Sequence, residues 1–398
     1  MTTAAVRLQN VKRSWAAVGA PFRRNRSLRV GGVLVLVGVL IIFPLFFTET
    51  SDKVDTGTTA LAYVVMALGL NIVVGFAGLL DLGYVAFYAL GALTMGWLGS
   101  SFAYQIHHQK GIHIGVASSI SHLPGIHLNF LLILIAAAIV CAVAGMIIGL
   151  PTLRLRGDYI AIVTLAFGEI VYRFALNGDQ IKINGYQLTN GSQGITPVDH
   201  VDLPFIAPFQ TLNLRPWYWC ILGLALLTLF VNSRLRDSRL GRAWIAIRED
   251  EVAAASMGVP LVKTKLMAYA TGAAFGGMSG AFLASYLNTV NADQFQFAFS
   301  IFVLSMVILG GLGSIWGVAL GAIVLTLVNR YLIPNVLNPF AQNHFNFDLT
   351  SLSFSIFGFL LVIMMLVRPE GLLPERRRKM ELTEGVGVGE SELIEVQA

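Results

Sequence analysis

Glu169 and Arg173 stand four residues apart within the apolar run Tyr159–Leu176, a spacing that puts both on one face of a helix. Ionisable groups inside an apolar span are costly, so the pair either neutralises itself or borders a polar pathway. A structural ion pair is the simpler expectation. Asn71 and Asp81 flank a second polar point, the glycine-rich run NIVVGFAGLLD, and Asp81 suits an interfacial turn and a polar pathway equally. Five of the seven histidines, His107, His108, His113, His122 and His127, fall between Ser101 and Asn129. Imidazoles can bind metal or report pH. Their spacing is irregular and no carboxylate stands beside them, so a solvated loop without a metal site is expected.

No catalytic motif accompanies these residues. None of the seven lysines follows a glycine, which excludes the GxxxxGK phosphate loop, and HExxH, CxxC and GxSxG are absent. The chain is therefore expected to be no enzyme, with no catalytic residues and no cofactor of its own. Any ATP hydrolysis would fall to another polypeptide. Cys141 and Cys220 sit inside apolar runs without metal-ligand spacing and read as small core residues.

The elements that must position these groups are membrane helices. Of 398 residues, 56% are hydrophobic and 12% charged, against roughly 25% charged in soluble domains. Lipid must solvate most of such a surface, and helices satisfy the backbone there. The expected class is all-α and polytopic, with about ten transmembrane helices able to cross a core of roughly 30 Å. The runs are Leu28–Phe47, Leu61–Leu80, Leu82–Ser100, Phe130–Leu150, Tyr159–Leu176, Trp217–Asn232, Lys265–Leu287, Phe297–Leu312, Ile315–Ile333 and Leu352–Val367. The first exceeds a signal-peptide core and is taken as an uncleaved span. Alternation from an inner N-terminus leaves most of the 27 Lys and Arg residues inside, so both termini are expected to be cytoplasmic. Residues 1–27 are then a basic cytoplasmic segment, 28–374 the transmembrane domain and 375–398 a cytoplasmic tail of disordered composition. The basic charge reports orientation, and no nucleic-acid partner is expected.

Two turns carry no Lys or Arg: LLDLG at Leu79–Gly83 and GGLGS at Gly310–Ser314. Each is either a short cytoplasmic turn or a break in a discontinuous helix, where transporters place substrate. Glycine recurs every four residues at Gly272, Gly276 and Gly280, at Gly313, Gly317 and Gly321, and at Gly145 and Gly149, making flat faces for close helix packing. The outer stretch Asn177–Arg215 is longer than a connection needs and suits a gate or a receiver for an external partner. On the inner side, Arg234–Pro260 sets polar sequence between two spans. From Gly241 to Met257 it interleaves Trp244, Ile245, Ile247, Val252 and Met257 with charges. A membrane-surface helix fits that pattern. The acidic EDE, the small AAA and a terminal Gly258 favour docking into a partner groove.

Several blocks, in order, resemble the LivM-type permease of bacterial ABC importers for branched-chain amino acids. They are GFAGLLDLGYVAFYALGA (Gly75–Ala92), LRLRGDYIAIVTLAFGEI (Leu153–Ile170), LTNGSQGI (Leu188–Ile195), SRLGRAWIAIREDEVAAASMGV (Ser238–Val259), ILGGLGSIWGVALGA (Ile308–Ala322) and RPEGLLP (Arg368–Pro374). The resemblance implies an inner-membrane permease that works by alternating access. Its implied partners are a homologous second permease, two ATPase subunits using ATP and magnesium, and an external solute-binding protein. It also implies that Arg234–Pro260 seats on the ATPases through Arg242, Arg248, Glu251, Ala253, Ala254 and Gly258. Glu251 precedes Gly258 by seven residues, one more than the general ABC spacing. Asn71, Gly75, Gly78, Asp81, Tyr84, Glu169, Gly310, Gly311 and Gly313 are the candidate pathway residues. LTNGSQG departs from the LTGGSNG of the amino-acid branch, which leaves urea or another small solute as the alternative cargo. An ion-coupled secondary transporter using Glu169, Arg173 and Asp81 is the alternative of a different class.

Overall fold

The computed structural model describes residues 26–102, 111–116, 123–152, 159–183, 186–202, 208–339, 342, 348, 352–367 and 371–373. Residues 1–25, the tail 375–398, Arg154, Arg156, His107, His108 and His122 lie outside them. The helices are α1 (Arg26–Ile42), α2 (Asp52–Leu70), α3 (Val85–Leu98), α4 (Phe130–Thr152), α5 (Tyr159–Asn177), α6 (Leu214–Asp237), α7 (Arg239–Glu249), α8 (Glu251–Ser256), α9 (Leu261–Tyr286), α10 (Phe297–Gly310), α11 (Ile315–Leu327) and α12 (Ser353–Val367). π-Helical turns extend α2 over Asn71–Phe76 and α11 over Val328–Leu337.

Among the described residues, six helices are long and apolar enough to cross a membrane, and four shorter apolar ones fall on the remaining expected runs. The chain is a multi-pass helical membrane protein. Helix α4 shows how lipid and core divide one element. Ile135, Ile139, Val143 and Ile147 form an exposed stripe at four-residue spacing, while Ile133, Ala137, Cys141 and Ile148 are buried. Helix α2 is the opposite case, with 94% of its apolar window buried. It is the central post, against which α6, α9 and α11 pack.

Glycine allows that density. A Cβ at Gly145 would meet the Tyr269 oxygen at 2.8 Å, and one at Gly272 the Gly69 oxygen at 2.9 Å. The predicted four-residue glycine faces are thus helix crossings at near-backbone contact. Helices α3 and α10 have 14 residues each, about 21 Å at 1.5 Å per residue, well short of a bilayer core. Each abuts one of the two turns that lack basic residues. Both turns, breaks in the sense that they interrupt the helical path, pack against the bundle, with Asp81, Gly83, Gly310 and Gly311 buried and Gly78 and Leu80 open.

At the other end, β1 (Gly99–Ser100), β2 (Ile112–Ile114) and β3 (Ile126–Leu128) form a sheet in the order β1-β3-β2, with β1 antiparallel and β2 parallel to β3. A hairpin joins β4 (Lys182–Ile183) to β5 (Tyr186–Gln187). For His113 and His127 the sheet corrects the expectation of a solvated loop. His127 is 1% exposed, its ring stacks on His113 at 5.4 Å, and its Nδ1 lies 2.6 Å from Asp199 Oδ2. The carboxylate missing from the local sequence is supplied 72 residues downstream. Among the described residues no group of three or more potential ligands could hold a metal.

Candidate functional site

The connector Arg234–Pro260 folds as two helices beyond α6 because Asp250 interrupts it. Its φ of −153° and ψ of 112° are extended, and Oδ1 accepts from the amides of Val252 and Ala253, capping α8. Ser238 caps α7 in the same way, accepting from Gly241. Gly258 ends α8 at a φ of +85°, a conformation that costs other residues about 1–2 kcal/mol. The stop anticipated at Gly258 is there. The break at Asp250 was legible as an N-cap residue before an EVAAAS helix, yet the amphipathic pattern ran across it.

One face of the connector is fastened to the bundle. Trp244 is fully buried and its indole donates to the Thr264 oxygen at 2.8 Å. Ile247 and Ala254 are buried beside it. Glu251 Oε1 lies 2.7 Å from Lys265 Nζ, and the lysine side chain is only 5% exposed. Arg248 reaches furthest: its Nη1 donates to the Gly75 oxygen at 2.6 Å. A Cβ at Gly78 would meet Arg248 Cγ at 2.6 Å, so the arginine stem lies directly on the first break. The other face is open. Arg242, Ala253 and Gly258 are exposed. Val252 and Met257 are 75% and 86% exposed, the two large apolar side chains on that face. Of the residues assigned to coupling, Arg242, Glu251, Ala253 and Gly258 are thus exposed, while Arg248 and Ala254 turn into the bundle.

The break residues converge. Asn71 Oδ1 accepts from the Gly313 amide at 2.9 Å, joining the two breaks across 242 residues. Gly75 fits between them, since a Cβ there would meet the Gly313 nitrogen at 2.6 Å and run into Asn71 Oδ1. Asn71 Nδ2 and Asp81 Oδ2 are buried without a hydrogen-bond partner among the described residues. Asp81 Oδ1 accepts from Gly83 N at 2.9 Å, and Thr164 of α5 accepts from Leu82 N at 3.0 Å. Tyr84 is buried, and its hydroxyl donates to the Gly272 oxygen at 2.7 Å where α2, α3 and α9 meet. The second break is sealed from the C-terminal side. Leu372 N donates to Leu309 O at 2.8 Å and Leu373 N to Gly310 O at 3.2 Å. Gly371, at a φ of +78°, packs on Gly311.

Glu169 is not brought into this cluster. It pairs with Arg173 at 2.7 Å on an exposed face of α5, their side chains 41% and 62% exposed. Its neighbour Gly168 packs on Gly83 instead, where a Cβ would lie 3.1 Å from Gly83 Cα. Lys265 and Thr164 belong to the site but carry no local sequence cue; only the fold places them under the connector and the break.

Residues 54–367 match the sequence model of the family described as "Branched-chain amino acid transport system / permease component". The chain is 36% identical over 378 residues to the "High-affinity branched-chain amino acid transport system permease protein LivM" of Escherichia coli strain K12, covering 90% of this chain and 78% of that one. It is 28% identical to the "Probable branched-chain amino acid transport permease protein LivM" of Methanocaldococcus jannaschii, over 79% of this chain and 91% of the relative. A 169-residue stretch is 26% identical to the E. coli permease protein LivH, covering 42% and 49% of the two chains. No solved structure matches the chain. With 314 consecutive positions matched, from 54 to 367, the chain belongs to the family of permease components of branched-chain amino acid transport systems.

Proposed function

We propose that the chain is the permease subunit of an ATP-driven importer that carries branched-chain amino acids across the bacterial inner membrane by alternating access. The observation that carries the reading is the connector, fastened on one face to α9 and the first break and exposing Val252 and Met257 among charged and small residues on the other. ATPase subunits supplied by other chains seat on the open face around Val252, Ala253 and Met257. Their closure moves α7 and α8 as a unit, since Trp244, Arg248 and Glu251 tie both to the bundle. Arg248 then draws on Gly75, and the Asn71–Gly313 bond passes the movement to α10 and α11. The similarity to both LivM and LivH supports a homologous second permease as the partner across the pathway. A solute-binding protein delivers cargo at the end that carries the histidine sheet. ATP and magnesium are used by the ATPases.

Val252→Asp together with Met257→Asp tests the seat. The changes are on exposed positions, so the permease inserts normally while ATPase co-purification and ATP-dependent leucine uptake are lost. Wild-type co-purification by that double variant would remove the docking face. Leucine uptake driven by an ion gradient without any ATPase would overturn the importer reading.

A further inference from the structure

A cavity of about 190 Å³ opens among α2, α3, the end of α9, the start of α10 and the π-helical turn Val328–Leu337. Its walls are aromatic: the Phe299 ring lies 5.5 Å from that of Tyr63 and 5.2 Å from that of Tyr88. The same cavity is lined by opposite charges, Arg330 and Asp293, and by Gln294, whose Oε1 accepts from the Tyr88 hydroxyl at 3.3 Å. Arg330 is anchored by a bond from Nη1 to Asp55, and Asp55 also accepts from Tyr286. A guanidinium carries five donors in a planar fork, so one anchored nitrogen leaves the rest of the fork for a carboxylate.

We infer that this cavity is a subsite for a free α-amino acid with an aliphatic side chain. The α-carboxylate meets Arg330, the ammonium meets Asp293 and the Gln294 oxygen, and the side chain lies against Tyr63 and Phe299. At roughly 30 Å³ per water the space equals about six waters. That suits a small zwitterion and lies below the roughly 300 Å³ at which pockets for drug-sized ligands begin. Two opposite charges beside apolar walls disfavour a neutral amide, which would leave both without a partner. The cavity lies toward the Asp52 end of α2, with the Tyr84–Gly272 contact and the connector beyond it. The assignment deepens the proposed function and rests on it for the substrate class.

The test uses membranes holding the complete importer, with Cys220→Ser to silence the accessible native thiol and Ala298→Cys as a reporter in the cavity wall. An impermeant maleimide added outside labels the reporter, and leucine slows labelling. Leucinamide and 4-methylpentanoate each lack one charge of the zwitterion and need at least about tenfold higher concentration for the same protection. Arg330→Gln abolishes protection. Asp55→Asn breaks the same ion pair yet retains it, because the guanidinium remains. Equal loss in both variants would give Arg330 a structural role only and overturn the subsite, as would failure to label or equal protection by leucinamide. Leucine uptake without protection would overturn the subsite and leave the proposed function standing. Absence of leucine uptake would overturn both.

Discussion

Arg248, on the connector, donates to the main-chain oxygen of Gly75 at the first helix break, 173 residues earlier in the chain. The bond joins the connector to the element that follows the central helix. A charged donor on a carbonyl is worth about 1.5–3 kcal/mol, enough to make the two move together. Its geometry requires the glycines around it, because the arginine stem occupies the space a side chain on Gly78 would need.

Gly75→Ala tests how tightly the breaks are joined. The added methyl runs into Asn71 Oδ1 and the Gly313 amide, and overpacking of this kind costs about 1–3 kcal/mol. A lowered melting temperature in detergent is expected, with uptake reduced even below that temperature. Gly223→Ala is the control, because a Cβ there meets nothing within 4 Å. Alanine is the better helix former, so Gly223→Ala should lose nothing, and similar losses in both would contradict the tight packing at the break.

The Glu251–Lys265 pair predicts a pattern of rescue. Lys265 is almost fully buried, so Glu251→Gln leaves a buried charge unpaired, and α8 loosens from α9. Co-purification of the ATPases and uptake both fall. Adding Lys265→Met removes the orphaned charge and restores at least part of the co-purification. If the double variant is no better than Glu251→Gln alone, the carboxylate acts on the partner directly and not through α9.

Stability of the three-stranded sheet is expected to depend on pH through His127. Burial opposes its charged form. The hydrogen bond and charge of Asp199, with the Pro124 carbonyl, outweigh that and hold the imidazole above its ordinary value. A raised folded value means stability fully present below the unfolded value of roughly 6.5 and lost as pH rises through the folded one. His200 opposes this, because burial lowers it despite the same Asp199. The difference in melting temperature between wild type and His127→Gln isolates the His127 contribution. That difference should be largest in mild acid and shrink as pH rises above about 6.5. A difference that grows with pH would contradict the pairing.

Much of the fold was legible because lipid imposes a simple code. Apolar runs had to be helices, and each of the expected runs is one. The Glu169–Arg173 pair followed from helix periodicity, and the stop at Gly258 from glycine's tolerance of positive φ. What the sequence hid were the contacts that make the site. Asn71 with Gly313, Arg248 with Gly75 and His127 with Asp199 are separated by 242, 173 and 72 residues. No local period encodes such distances; they arise only when the helices pack and the sheet closes on the segment that carries Asp199. The shortness of α3 and α10, 14 residues each, was hidden in the continuous apolar runs. Val252 and Met257 could be read as part of an amphipathic pattern, but not as its exposed face.

The most direct measurement is leucine uptake and ATP hydrolysis recorded together on the reconstituted importer carrying Arg248→Ala. The ATPases are expected to assemble still, since Arg248 points into the bundle and the face that carries Val252 and Met257 is unchanged. Hydrolysis should persist while uptake falls at least about tenfold, the loss expected for one charge-assisted bond. Wild-type uptake by this variant would contradict transmission through Gly75.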